Sequence, residues 1–126
     1  MIYQIQNELG VIILNKMLVE QIIDDAFEPL EGKIWLENHY DIVAPTKEIS
    51  MGDNGVLVEL FVVFRFGESI ENCCRRLMKS IAEDIEFSLN LPLDNIVIHI
   101  TATKSKNFAR RNLLYDYNTI FGISHN

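Results

Sequence analysis

Between residues 55 and 102 the side-chain period changes twice without a break, and nothing else in the chain constrains its fold as much. Over residues 56–66 the even positions Val56, Val58, Leu60, Val62, Phe64 and Phe66 are all apolar. The odd positions mix Leu57, Phe61 and Val63 with Glu59 and Arg65. A period of two predicts a central strand with one fully buried and one partly covered face. Gly67-Glu68-Ser69 then turns the chain, with Ser69 placed to cap a helix. From Ile70 to about Leu89 the period becomes helical: Ile70, Cys73, Cys74, Leu77, Met78, Ile81, Ala82 and Ile85 form one apolar stripe. Arg75, Arg76, Lys79, Glu83 and Glu86 lie largely outside it. Asn90 suits the left-handed residue that closes a helix, and Pro92 prevents its continuation. Residues 95–101 return to a strand, with Ile96, Ile98 and Ile100 toward the core and Val97, His99 and Thr101 on the other side.

The flanks are read the same way. Residues 2–6 alternate weakly, Asn7-Glu8-Leu9-Gly10 supplies turn chemistry, and Val11-Ile12-Ile13-Leu14 predicts a strand. Asn15 caps the helix that follows, whose stripe is Leu18, Val19, Ile22, Ile23, Ala26, Phe27 and Leu30. Pro29 ends it and Gly32 allows a sharp turn. Residues 33–37 predict another strand and residues 38–46 a loop. Residues 47–51 are expected to pair with the long strand through Gly52-Asp53-Asn54-Gly55, where Asn54-Gly55 tolerates positive φ. After Thr103, residues 108–117 are expected to form a short amphipathic helix.

The expected fold is therefore α+β: a two-layer sandwich of a mixed sheet with two main helices on one face, in the order β-α-β-β-β-α-β. Residues 1–102 form a single domain, as a chain of 126 residues with 48% apolar content allows. Residues 103–126 form an extension, first basic and then aromatic.

Composition excludes several roles. No run approaches the roughly 18 apolar residues of a membrane span, and the N-terminus shows no secretion signal and the chain no lipidation motif. Cys73 and Cys74 are adjacent, which disfavours both a disulfide and a redox CxxC pair and predicts buried free thiols, in keeping with a cytoplasmic protein. The net charge of −7 is uneven: residues 1–63 hold 11 acids against 3 bases. Non-specific nucleic-acid binding is thus disfavoured as the main task. Lys104, Lys106, Arg110 and Arg111, uninterrupted by any acid, read as a solvated extension or as a contact for an acidic partner, an anionic lipid surface or the protein's own acidic half.

No catalytic constellation is readable. His39, His99 and His125 are too scattered for a metal site. Asp24, Asp25 and Glu28 lie on an outer helix face rather than across a cleft. No nucleophile elbow, Cys-His pair or phosphate-binding glycine loop occurs. Gly52-Asp53-Asn54-Gly55 matches a KH-type GxxG literally, but joins two strands and carries an acid that repels phosphate, so it reads as turn chemistry. No cofactor is expected.

Glu8-Leu9-Gly10, an apolar run, a cap, a helix and Gly32 resemble the start of the alkaline shock (Gls, general-stress) family of Gram-positive bacteria. Phe66-Gly67, Ile70, Asn90-Leu91 and Ile96-Val97-Ile98-His99-Ile100 resemble the punctuation of its second half. The likeness spans about residues 8–102. Glu20, Ile23, Asp24, Asp25 and Phe27 stand where the family carries small residues. The resemblance implies a non-enzymatic cytoplasmic scaffold or adaptor in envelope homeostasis and stress response. It also implies a membrane-anchored protein partner at the inner membrane face, and homo-oligomers. The alternative is a small nucleic-acid-associated α+β module. Under either reading the candidate contact residues are Arg75, Arg76, Lys79, Lys104, Lys106, Arg110 and Arg111.

Overall fold

The computed structural model describes residues 8–36, 47–105 and 108–125. The long alternating segment is the strand β3, Gly55–Arg65, the centre of a five-stranded mixed sheet. Two strands share one side of it, both antiparallel: β1, Ile34–Leu36, and β2, Lys47–Gly52. On its other side β3 pairs in parallel with β4, Leu93–Lys104, and β4 pairs antiparallel with β5, Phe108–Asp116. Parallel neighbours need a long crossover, here the helix α2, Ile70–Glu83. The chain opens with the helix α1, Glu8–Phe27, and ends with the short helix α3, Tyr117–Phe121.

The helices pack on one sheet face, giving the α+β class expected from the sequence. Val56, Val58, Leu60, Val62 and Phe64 of β3 meet Ile96, Ile98 and Ile100 of β4 there. Val19, Ile23 and Ala26 of α1 and Cys73, Cys74, Leu77, Met78, Ile81 and Ala82 of α2 close the core from above. Fully burying one such aliphatic side chain contributes about 1.5–3 kcal/mol. The opposite face is half-buried at Leu57, Phe61, Val97 and His99. Among the described residues it is closed at Val63 and Ala102, beyond a bulge at Thr101 that neither neighbouring strand matches. The Thr101 hydroxyl donates to the Val62 carbonyl there at 3.1 Å.

Three elements differ from expectation. Residues 11–14 are not a strand; they lie inside α1, which already runs at Glu8 and so deprives Asn15 of its capping role. Helix formation this early removes the opening strand of the expected order. Residues 108–116 are a strand rather than an amphipathic helix, because β4 offers a free edge that antiparallel pairing satisfies. Among the described residues of the extension, 117–121 alone are helical. The extension is thus part of the domain's sheet. The weak alternation at 2–6 and the loop at 38–46 lie outside the described residues.

The β2–β3 turn is a two-residue hairpin packed against the segment that leads into β4. Gly52 and Gly55 oppose one another across Asp53-Asn54, and the positive φ falls on Gly55 alone, at 135°. Pro92 and Asp94 pack against this turn: the Val56 amide donates to the Pro92 carbonyl at 2.9 Å. A Cβ on Gly55 would sit 2.3 Å from that same oxygen. At the end of α2 the backbone widens to one π turn over Asp84–Ser88, with the Leu89 amide bonding the Asp84 carbonyl at 3.2 Å. Asn90 then reverses the chain at φ 54°.

Candidate partner-contact site

Adjacent residues on a helix point about 100° apart, a consequence of 3.6 residues per turn, so α2 cannot present Arg75 and Arg76 to one neighbour. Its buried stripe faces the sheet and the two arginines leave on opposite flanks. Arg75 leans toward α3, with its guanidinium 5.8 Å from the centre of the Phe121 ring and its Nε 3.7 Å from Glu71. Arg76 and Lys79 turn the other way and, with Ser80 and Glu83, form one wall of an open cleft of about 300 Å³. Ala26, Pro29 and Leu30, where α1 gives way to a 3-10 turn at Glu28–Leu30, supply the apolar floor and opposite wall. Leu30 and Ala26 are buried, so the floor is closed beneath them.

The cations of the extension lie elsewhere. Lys104 ends β4, and its carbonyl accepts the Phe66 amide at 2.7 Å. Arg110 stands opposite Ala102 on β5, and Arg111 donates through Nε to the Thr103 hydroxyl at 3.2 Å. Lys106 lies outside the described residues. The six described candidates thus fall in three places: beside α3, in the cleft, and along the β4–β5 hairpin.

Other charges are taken up by the fold. Arg65 bonds Glu68 at the β3–α2 turn, with Lys33 3.8 Å from the same carboxyl; the Arg65 hydrogen bond holds Glu68 below its ordinary range. Lys47 pairs with Asp24 at 2.7 Å, tying β2 to α1. Burial pushes Asp116 up, but hydrogen bonds from Thr119 and Asn95 outweigh it and leave this carboxyl below the ordinary value. Asp116 caps α3, and Asn118 bonds both the Asn95 side chain and the Asp94 carbonyl. Burial, with help from Glu86 and Glu83, raises the Tyr117 hydroxyl. Both thiols are buried and free; burial pushes Cys74 up to about 12, and Cys73 is also raised.

The two described histidines have different neighbours. His99 sits on the open sheet face, with its ring stacked on Phe61 at 4.5 Å and Nε2 3.0 Å from Glu59. His125 donates to the Asp94 carbonyl at 2.9 Å; His39 lies outside the described residues. Among the described residues no three His, Cys, Asp or Glu side chains are grouped so as to hold a metal ion, and no helix is long and apolar enough to cross a membrane.

Sequence reasoning missed an exposed sheet edge. β5 is an edge strand of nine residues, and among the described residues nothing pairs with its outer side. It displays Leu113 and Leu114, the latter 56% exposed. The helical reading of this segment hid that edge. The cleft was missed because Pro29-Leu30 signals only where a helix stops, and nothing local says which residues of α2 it will face.

Comparison with family models, with curated proteins and with solved structures gives no match for this chain.

Proposed function

We propose that this chain is a non-enzymatic scaffold or adaptor resembling the alkaline shock proteins, acting through protein contacts in cell-envelope homeostasis under stress. Its place is the cytoplasm, held at the inner membrane face by a membrane-anchored protein partner, and it assembles with further copies of itself. The observation that carries the reading is β5, a nine-residue edge whose outer side is unpaired among the described residues and which exposes two adjacent leucines. Such edges are templates for adding another strand: backbone hydrogen bonds give affinity and exposed side chains give register. Further support comes from the β3–α2–Asn90–β4 run, where Phe66-Gly67 follows the strand, Ile70 opens the helix and residues 96–100 lie in the next strand.

Cell fractionation with crosslinking tests this reading. The native protein is expected in the envelope fraction, crosslinked to a protein that itself has a membrane-spanning segment, and Leu113→Lys with Leu114→Lys abolishes that adduct. A native protein that stays soluble, monomeric and free of envelope partners contradicts it. RNA or DNA binding that weakens with salt, and is lost when Lys104, Lys106, Arg110 and Arg111 become Ala, would favour the nucleic-acid module instead.

A further inference from the structure

We infer that the cleft between the end of α1 and the outer flank of α2 is a docking site for a short acidic peptide segment carrying an aliphatic anchor residue. The inference rests on the adaptor reading above and names the chemistry of one segment that the module takes.

Three observations point to that occupant. The first is shape: about 300 Å³ of open cleft over a closed apolar floor of Ala26 and Leu30, with Pro29 at its lip. That lies at the small end of ligand sites and admits one or two side chains rather than a cofactor. The second is charge. Arg76 and Lys79 are three residues apart on one helix flank and form no ion pair with any described residue, although Lys33, Lys47, Arg65 and Arg75 each have one. Two cations without an ion pair to any described residue, over an apolar floor, complement a carboxylate attached to a hydrocarbon. The third is polarity along the wall. Ser80 continues the row and Glu83 ends it, so the cleft is cationic at one end and anionic at the other.

That polarity separates a peptide from a polyanion. A nucleic-acid backbone needs a continuous cationic track. Here Glu83 blocks the far end, and Glu28 and Glu31, both exposed, flank the Pro29-Leu30 lip in the chain. A peptide can meet all of this at once. Its carboxylate lies on Arg76 and Lys79, its aliphatic side chain on Ala26 and Leu30, and a backbone amide or a basic side chain reaches Glu83. Only one carboxylate-bearing turn is needed.

Titration of the isotope-labelled full chain with acetyl-Leu-Glu-Glu-Leu-amide, followed by amide NMR shifts, tests the assignment. The expected result is saturable shifts confined to residues 26–31 and 76–83, with a dissociation constant of roughly 0.1–1 mM because exposed ion pairs are weak. Binding weakens with added salt and falls at least about tenfold for the Gln-for-Glu peptide. Arg76→Glu with Lys79→Glu abolishes the shifts; Arg76→Gln with Lys79→Gln weakens binding, and both variants keep the native circular dichroism. Equal binding by the neutral peptide, shifts centred elsewhere, or a short RNA or inorganic phosphate binding the same residues more tightly than the peptide would each overturn the proposal. Failure of the peptide while the envelope adduct persists removes the cleft assignment alone. Loss of the envelope adduct while the peptide binds removes the adaptor reading instead.

Discussion

The central β3–α2–β4 block and the two ends of the chain follow different rules. In the block, local preference and tertiary surroundings mostly agree; the exceptions are Ser69, whose side chain makes no cap hydrogen bond, and Phe66, which lies past the end of β3 and is exposed. Alternation over residues 56–66 becomes β3, the stripe from Ile70 becomes α2, and Asn90 takes the positive φ expected of it. At the ends they disagree: an apolar run that reads as strand is helix in α1, and a segment that reads as helix is strand in β5. The lesson is that this domain is specified from its middle, and its ends take whatever conformation the middle leaves open.

The largest expected effect is on the block. Phe64, wholly buried on β3, belongs to the main core cluster, and Phe64→Ala should cost about 3–5 kcal/mol in chemical denaturation. Leu114→Ala on β5 should move stability by less than about 0.5 kcal/mol. Comparable losses at both positions would erase the distinction between middle and end.

Next comes the turn that locks β3 to the segment before β4. Gly55→Ala must hold φ 135° and push a methyl against the Pro92 carbonyl, so a loss of about 2–3 kcal/mol is expected. A near-neutral result would show that the β2–β3 hairpin and the Pro92–Asp94 segment separate easily.

A pH effect follows from Cys74. Its thiol is held neutral by burial, up to about 12, against a value of 9.0 when unfolded. A raised acid pKa stabilises the neutral folded form, so this contribution is fully present below pH 9. It is lost as pH rises from about 9 toward 12, at a slope of about 1.4 kcal/mol per pH unit. Cys74→Ala should flatten that stretch of the stability profile, and in the native protein Cys74 should resist alkylation at neutral pH.

A smaller effect sharpens the boundary at the C-terminal end. Asp116 caps α3 through the Thr119 amide at 3.1 Å and accepts from Asn95 on β4. Removing it as Asp116→Ala should cost about 1 kcal/mol. Because its carboxyl lies below the ordinary value, that stability is present at neutral pH and is lost as pH falls through the folded value. Hydrogen exchange should register the change in α3 and the end of β5 before it reaches β3.

These contrasts explain how far the sequence could be read. Ile98 announces itself because its neighbours at 96 and 100 repeat its period and it is buried whichever strand it joins. The run at 11–14 carries no such information, since four apolar residues suit a buried strand and a buried helix alike. Arg110-Arg111-Asn112-Leu113-Leu114 has no decisive period either, and the free edge of β4 decided its conformation. The candidate cations were legible as residues but not as a surface. Helical phase sends Arg75 to Phe121, and Arg76 and Lys79 to the cleft. Lys104, Arg110 and Arg111 go to a hairpin whose existence no local signal marked.

Whether β5 acts as a contact edge is tested most directly by a photo-crosslinking amino acid placed at Leu114 in cells. The same residue placed at Phe87, which is 82% exposed on the π turn, serves as the control. The prediction is a discrete adduct from position 114, to a membrane-anchored protein or to a second copy of this chain, and none of that mass from position 87. No adduct from 114, or the same diffuse adducts from both positions, would contradict it.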